Sequence, residues 1–247
     1  MTSDTTQTEA VPEETENDPE ELRDLITRPR VVLWDFDGPV CRLFAGHPAH
    51  DVATDLLDWL AARGLGELLT EDERDTDDPH AVLRAVDRRH PGSDLVAELE
   101  ERLTRHELTA VPAAWPTPYA DPLIRTWTAV GTRLAVATNN SARVARAYLE
   151  GRGLLGCFAP HLYGRTRELH RLKPDPHFLR QALGGLGVAP GAALMIGDSV
   201  SDCEAARRAG VAFLGFARDG GKARVLREGG AGVVTTSLLP VLRVLRG

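Results

Sequence analysis

The stretch Val31-Val32-Leu33-Trp34-Asp35-Phe36-Asp37-Gly38-Pro39 decides how this chain folds. Four apolar residues, β-branched at the start, read as a short buried strand. The run then turns polar, and Gly38 and Pro39 force the chain out of a sheet. Asp35 and Asp37 therefore stand at a strand end. Two residues apart on an extended chain, their carboxylates point the same way. They repel one another unless a cation sits between them, and a hard, water-retaining ion such as Mg²⁺ suits oxygen ligands of this kind. Taken alone, the pair reads equally well as turn-forming or capping aspartates.

Beyond residue 115 the same texture returns. Apolar runs at Leu134–Thr138, Ala193–Ile196, Val211–Phe216 and Val233–Thr235 alternate with helical spacing at 121–130, 141–152, 178–186 and 202–209. Alternating strands and helices predict an α/β fold, a Rossmann-like parallel sheet core with helices on both faces. Residues 50–110 differ. Val52, Leu56 and Leu60, then Val82, Leu83 and Val86, then Leu95, Val96, Leu99 and Leu103 recur at helical spacing with charge on the other faces. Pro112, Pro116 and Pro118 break helix afterwards. The expected organisation is a core of residues 29–45 and 115–247 with an inserted all-helical cap domain at 46–114.

Residues 1–28 hold nine acidic and two basic side chains, so they account for the whole formal charge of −7. They read as a disordered acidic tail. The near-neutral remainder lacks the basic stripe of a nucleic-acid binder. Three scattered cysteines argue against a disulfide framework and for a reducing compartment. The acidic start predicts no secretory or transit signal, and no apolar run is long enough for a membrane span. The expectation is a cytoplasmic protein, monomer or homodimer, with no nucleic-acid or membrane partner.

In open parallel sheets, ligands gather at the carboxyl ends of strands. Three further stretches fall at such places. Thr138-Asn139-Asn140 offers a hydroxyl and backbone N–H groups for phosphate oxygens, or else caps a helix. Lys173, in Arg171-Leu172-Lys173-Pro174-Asp175-Pro176, is one of only two lysines beside 27 arginines. That choice suits a compact ammonium more than a planar fork, although a surface lysine is the plain alternative. Gly197-Asp198-Ser199-Val200-Ser201-Asp202 ends a buried run with two carboxylates four residues apart. These could face one cation, or Asp198 or Ser199 could cap the next helix.

All four stretches in this order resemble the motifs of the haloacid-dehalogenase-like hydrolase superfamily, in its phosphoglycolate-phosphatase-like branch with a helical cap. The resemblance spans about residues 31–247. It implies Mg²⁺-dependent hydrolysis of a small-molecule phosphate monoester through an aspartyl-phosphate. It makes Asp35 the nucleophile, Asp37 the general acid and base, Thr138 and Asn139 substrate-binding, and Lys173 the charge-balancing cation. The metal would lie on Asp35, the Asp37 backbone carbonyl and Asp198, with Asp202 in support. Pro39 departs from the family's usual Thr or Val and puts the loop geometry in question. A dehalogenase would not need Asp37, and an imine-forming phosphonate hydrolase would need a lysine that residues 41–120 lack. A phosphomutase on the same core, and a non-catalytic phosphate- or sugar-binding regulator, remain as alternatives. His47 and His50 read as a solvated loop, and Arg88 and Arg89 as a solvated helix face.

Overall fold

A computed structural model describes residues 18–247. The expected disorder of residues 1–17 lies outside the described residues. Residues 19–27 do not follow the tail reading. They form helix α1 (Pro19–Thr27), capped by Asp18, with Leu22 and Ile26 buried. The acids of this segment hid two apolar residues four apart, which is one helical face.

The strands are β1 (Val31–Trp34), β2 (Cys41–Arg42), β3 (Trp115–Pro116), β4 (Arg133–Ser141), β5 (Leu162–Arg165), β6 (Ala193–Gly197), β7 (Ala212–Phe216) and β8 (Val233–Thr235). The other helices are α2 (Ala49–Ala62), α3 (Glu71–Arg74), α4 (Pro79–Arg89), α5 (Asp94–Ala110), α6 (Ala120–Ala129), α7 (Ala142–Gly151), α8 (Leu155–Phe158), α9 (His177–Leu186), α10 (Val200–Ala209), α11 (Gly220–Glu228) and α12 (Leu239–Arg246).

Six strands form one parallel sheet in the order β5-β4-β1-β6-β7-β8. All four β1 residues are fully buried because the strand is central and covered on both faces. Val32, Trp34, Leu134, Val136, Leu194 and Ile196 point into one layer, against α1, α6, α7 and α12. Val31, Leu33, Ala135, Ala137 and Met195 point into the other, against α9 and α10. Each such buried Val or Leu contributes about 1.5–3 kcal/mol relative to exposure.

Between residues 46 and 114 the described secondary structure is helical throughout. Its chain leaves and re-enters the core through a two-stranded ribbon, where Cys41 faces Pro116 and Arg42 faces Trp115. Helix α5 starts at Ser93, whose hydroxyl accepts from Val96 N–H. Among the described residues no helix is long and apolar enough to cross a membrane.

Candidate active site

The adjacent strands β4, β1 and β6, at their carboxyl ends, and the loop after β5 that carries Lys173 supply the candidate residues. Asp35 leaves β1 with its N–H still donating to Ile196 O at 2.8 Å. The chain then closes a tight turn through Gly38 N–H to Cys41 O, and through Val40 and Cys41 N–H to Phe36 O. Pro39 sits inside this turn, whose bonds come from its neighbours, so its missing N–H breaks none of them. Gly38 has φ 117°, and a Cβ there would lie 2.4 Å from the Asp198 carboxyl carbon. Only glycine lets Asp198 approach the loop so closely.

Ligand oxygens of Asp35, Asp198 and Asp202 lie within 4.8 Å of one another. Lys173, 2% exposed, reaches into this cluster. Its Nζ is 2.7 Å from Asp35 Oδ1 and 2.5 Å from Asp202 Oδ1, and it donates to Ala137 O at 3.0 Å. Burial opposes the charge on Lys173, but Asp202 and Asp35 outweigh it and hold the amine well above its ordinary range. Burial pushes the Asp35 carboxyl up; Lys173 pulls it down, and Asp202 and Asp198 push it up again. Burial also raises Asp198, against the pull of Lys222. Asp37 is raised to about 6, chiefly by burial, while its Oδ1 accepts from Leu43 N–H at 2.8 Å. Several buried carboxyls resisting ionisation together fit a site that takes a divalent cation.

Ser199 does cap α10, and Asp202 closes the capping box. Asp202 Oδ2 also accepts from Asp198 N–H at 3.1 Å and Ser199 N–H at 3.0 Å. One carboxylate thus shapes the Asp198 loop with one oxygen and faces Lys173 with the other. Capping and site geometry are the same arrangement here.

Thr138 is fully buried, and its Oγ1 accepts from Asn140 N–H at 3.1 Å. It is not a helix cap. Asn139, whose backbone N–H was expected beside it for phosphate oxygens, spends its side chain on the Lys173 loop. Its Oδ1 accepts from Lys173 N–H at 2.8 Å and its Nδ2 donates to Lys173 O at 3.3 Å. Asn139 therefore clamps the loop that carries Lys173. Arg88 and Arg89 are held by Glu73 at 2.7 Å each. His50 pairs with Asp77, and His47 stacks on His106.

A buried network that no motif in the sequence marks joins the helical insert to the sheet. Glu107 on α5 and Arg165 at the end of β5 are both 0% exposed in their side chains. Glu107 accepts from Arg165 Nη1 at 2.7 Å, Arg165 Nη2 at 2.9 Å, Asn140 Nδ2 at 2.9 Å and Ser141 N–H at 3.2 Å. Arg165 also donates to Glu100 Oε1, Thr104 Oγ1 and Asn139 O, each at 3.0 Å. The signal was a charged residue continuing an apolar stripe, four after Leu103 and three before Ala110. Lys222, the second lysine, also lies outside the four motif stretches. Its ammonium pairs with the Asp198 carboxylate.

Acidic residues and a buried lysine at the carboxyl ends of a parallel sheet, in a chain with a helical insert, define a Rossmann-like α/β protein with a carboxylate-lined site. The chain belongs to the haloacid dehalogenase-like hydrolase family, whose profile matches residues 29–210. It is 40% identical over 115 residues to a phosphoglycolate phosphatase of Rhodospirillum rubrum, covering 47% of each chain. It is 28% identical over 183 residues to a phosphoglycolate phosphatase of Aquifex aeolicus, covering 73% of this chain and 81% of that one. The chain spans about half the length of the Rhodospirillum relative it matches, and 37% of a second, from Thiobacillus denitrificans. In fold it is similar to a predicted phosphoglycolate phosphatase from Haemophilus somnus 129PT (TM-score 0.63, 17% identity, 89% of this chain and 99% of that one). It is equally similar to CbbY from Rhodobacter sphaeroides, solved in complex with phosphate (TM-score 0.63, 22% identity, 89% and 100%).

Proposed function

We propose that this chain is a phosphatase that hydrolyses a small phosphorylated metabolite through an aspartyl-phosphate on Asp35. The observation that carries this reading is the convergence of Asp35, Lys173 and the Asp198–Asp202 loop at adjoining strand ends. Phosphoglycolate is the first ester to test, because most of the sequence relatives carry that name.

A divalent cation, Mg²⁺ by the all-oxygen donor set, would be held by Asp35, the Asp37 carbonyl and Asp198. It would neutralise charge so that a carboxylate can approach an anionic phosphate. Asp202 supports this set through the loop it shapes. The protein's own groups do the rest. Lys173 holds Asp35 in place and offsets charge on the transferring phosphoryl group. The Thr138 hydroxyl and adjacent N–H groups bind its oxygens. Asp35 attacks phosphorus, and the ester oxygen leaves with a proton from Asp37. Asp37 then takes a proton from the water that attacks the acyl phosphate, freeing inorganic phosphate and Asp35. A carboxyl raised to about 6 suits both duties near neutral pH.

The test is Asp35→Asn, a neutral isostere. Turnover of phosphoglycolate and para-nitrophenyl phosphate with Mg²⁺ should vanish while the circular dichroism stays that of the parent. Retained turnover would remove Asp35 as the nucleophile. A parent inactive across a broad phosphate panel would favour a binding regulator instead.

A further inference from the structure

The chain has only two lysines, and both converge on one acidic cluster. Every other basic position on the chain, histidines apart, is arginine. Lys173 is walled in at 2% exposure, touching Asp35, Asp202 and the Ala137 carbonyl. Lys222 differs in each respect. It stands in the first turn of α11, beyond the carboxyl end of β7. Its side chain is 28% exposed, and among the described residues its ammonium meets a single carboxylate, Asp198, itself 16% exposed.

We propose that Lys222 is a displaceable counter-cation, which neutralises Asp198 when no metal is bound and must give way when a divalent cation enters. The inference rests on the reading that Asp35 and Asp198 hold such a cation. Two physical points support it. The pairing ammonium occupies an oxygen of a carboxylate that the metal needs. Were the metal to take the other oxygen, an ammonium and a divalent ion would share one carboxylate and repel at close range. Either way, Lys222 opposes the metal. Its flexible four-carbon stem and partial exposure give the ammonium a route into water, a route the buried Lys173 lacks.

The residue type matters for the same reason. A lysine ammonium is a point charge that lets go readily. An arginine would bind Asp198 through a planar two-pronged fork and release it less easily. Lys222 thus acts as a positioning residue that sets how much divalent ion the site demands.

The experiment is calorimetric titration of MgCl₂ into the full chain, stripped of metal and free of substrate. Lys222→Met keeps the stem and removes the charge. It should bind Mg²⁺ tighter by about tenfold, the low end for losing a competing charge-assisted hydrogen bond. Lys222→Arg should bind it more weakly than the parent. In thermal melts without metal, Lys222→Met should be less stable than the parent, with a larger gain on adding MgCl₂. Equal or weaker Mg²⁺ binding by Lys222→Met overturns the proposal. The hydrolase reading fails separately. A tenfold affinity ratio in a chain that turns over no phosphate ester supports the role of Lys222 and sinks the hydrolase. An unchanged ratio in an active hydrolase overturns Lys222 alone, and no binding by either chain overturns both.

Discussion

Arg165→Met would cut the tie between the helical insert and the sheet. In the parent, Arg165 and Glu107 are both fully buried, and all five guanidinium N–H groups have acceptors. Methionine fills similar space and supplies none of these donors. Glu107 is then left charged in the interior, with Asn140 and Ser141 still donating to it and His80, 15% exposed, 3.5 Å away as the remaining partner. Removing one partner of a buried pair costs about 3–5 kcal/mol, mostly as the penalty of the stranded charge. For a chain of this size each kcal/mol shifts Tm by about 2–4 °C, so the expected fall is about 6–20 °C. The companion variant Arg165→Met/Glu107→Leu removes both charges and should recover at least half of the loss. Scanning calorimetry of the full chain at neutral pH measures both. A fall under about 2 °C for the single variant, or a double variant no more stable than Arg165→Met, would refute the account of this network.

Other expectations concern the same network and loops. Burial raises the Glu107 carboxyl, but Arg165 and His80 overcome this and hold it well below its ordinary value of 4.5. A depressed carboxyl stabilises the fold above the unfolded pKa and loses that contribution as pH falls below it. Stability of the parent relative to Glu107→Gln, from urea melts, should therefore shrink below about pH 4.5, and a flat difference would contradict the pairing. Gly38→Ala would drive a Cβ into the Asp198 carboxyl at positive φ, so Mg²⁺ affinity and turnover should fall together. Wild-type Mg²⁺ binding in that variant would deny the close approach. Asn139→Ala unclamps the Lys173 loop and should lower kcat by up to about 100-fold with KM little changed. A rise in KM alone would instead give the Asn139 side chain itself a part in substrate binding. Deleting residues 1–17 should leave steady-state kinetics unaltered.

The central sheet was readable because burial on both faces leaves an unbroken apolar run, as at Val31–Trp34 and Ala193–Ile196. Asp35, Lys173 and Asp198 were readable because each stands where such a run or its following loop ends. Strand β5 was not, since Leu162-Tyr163-Gly164-Arg165 is an edge strand with half-exposed residues and a buried arginine. Helix α1 was hidden by its acids. The partner of a buried charge is set by tertiary contact, so Glu107 and Arg165, 58 residues apart, left no local trace of their meeting. Asn139 shows the reverse limit. Its backbone N–H stays free of the Lys173 clamp, but its side-chain amide holds the Lys173 backbone, a contact between residues 34 apart that no local pattern announces.

The central claim is that Asp35 becomes phosphorylated during turnover. Acid-quenching the chain within one turnover of para-nitrophenyl phosphate, reducing it with borohydride and mapping the peptides tests this directly. The account predicts homoserine at position 35, dependent on both substrate and Mg²⁺, and absent from Asp35→Asn. An active enzyme that yields no reduced residue at 35, or yields it elsewhere, would contradict the account.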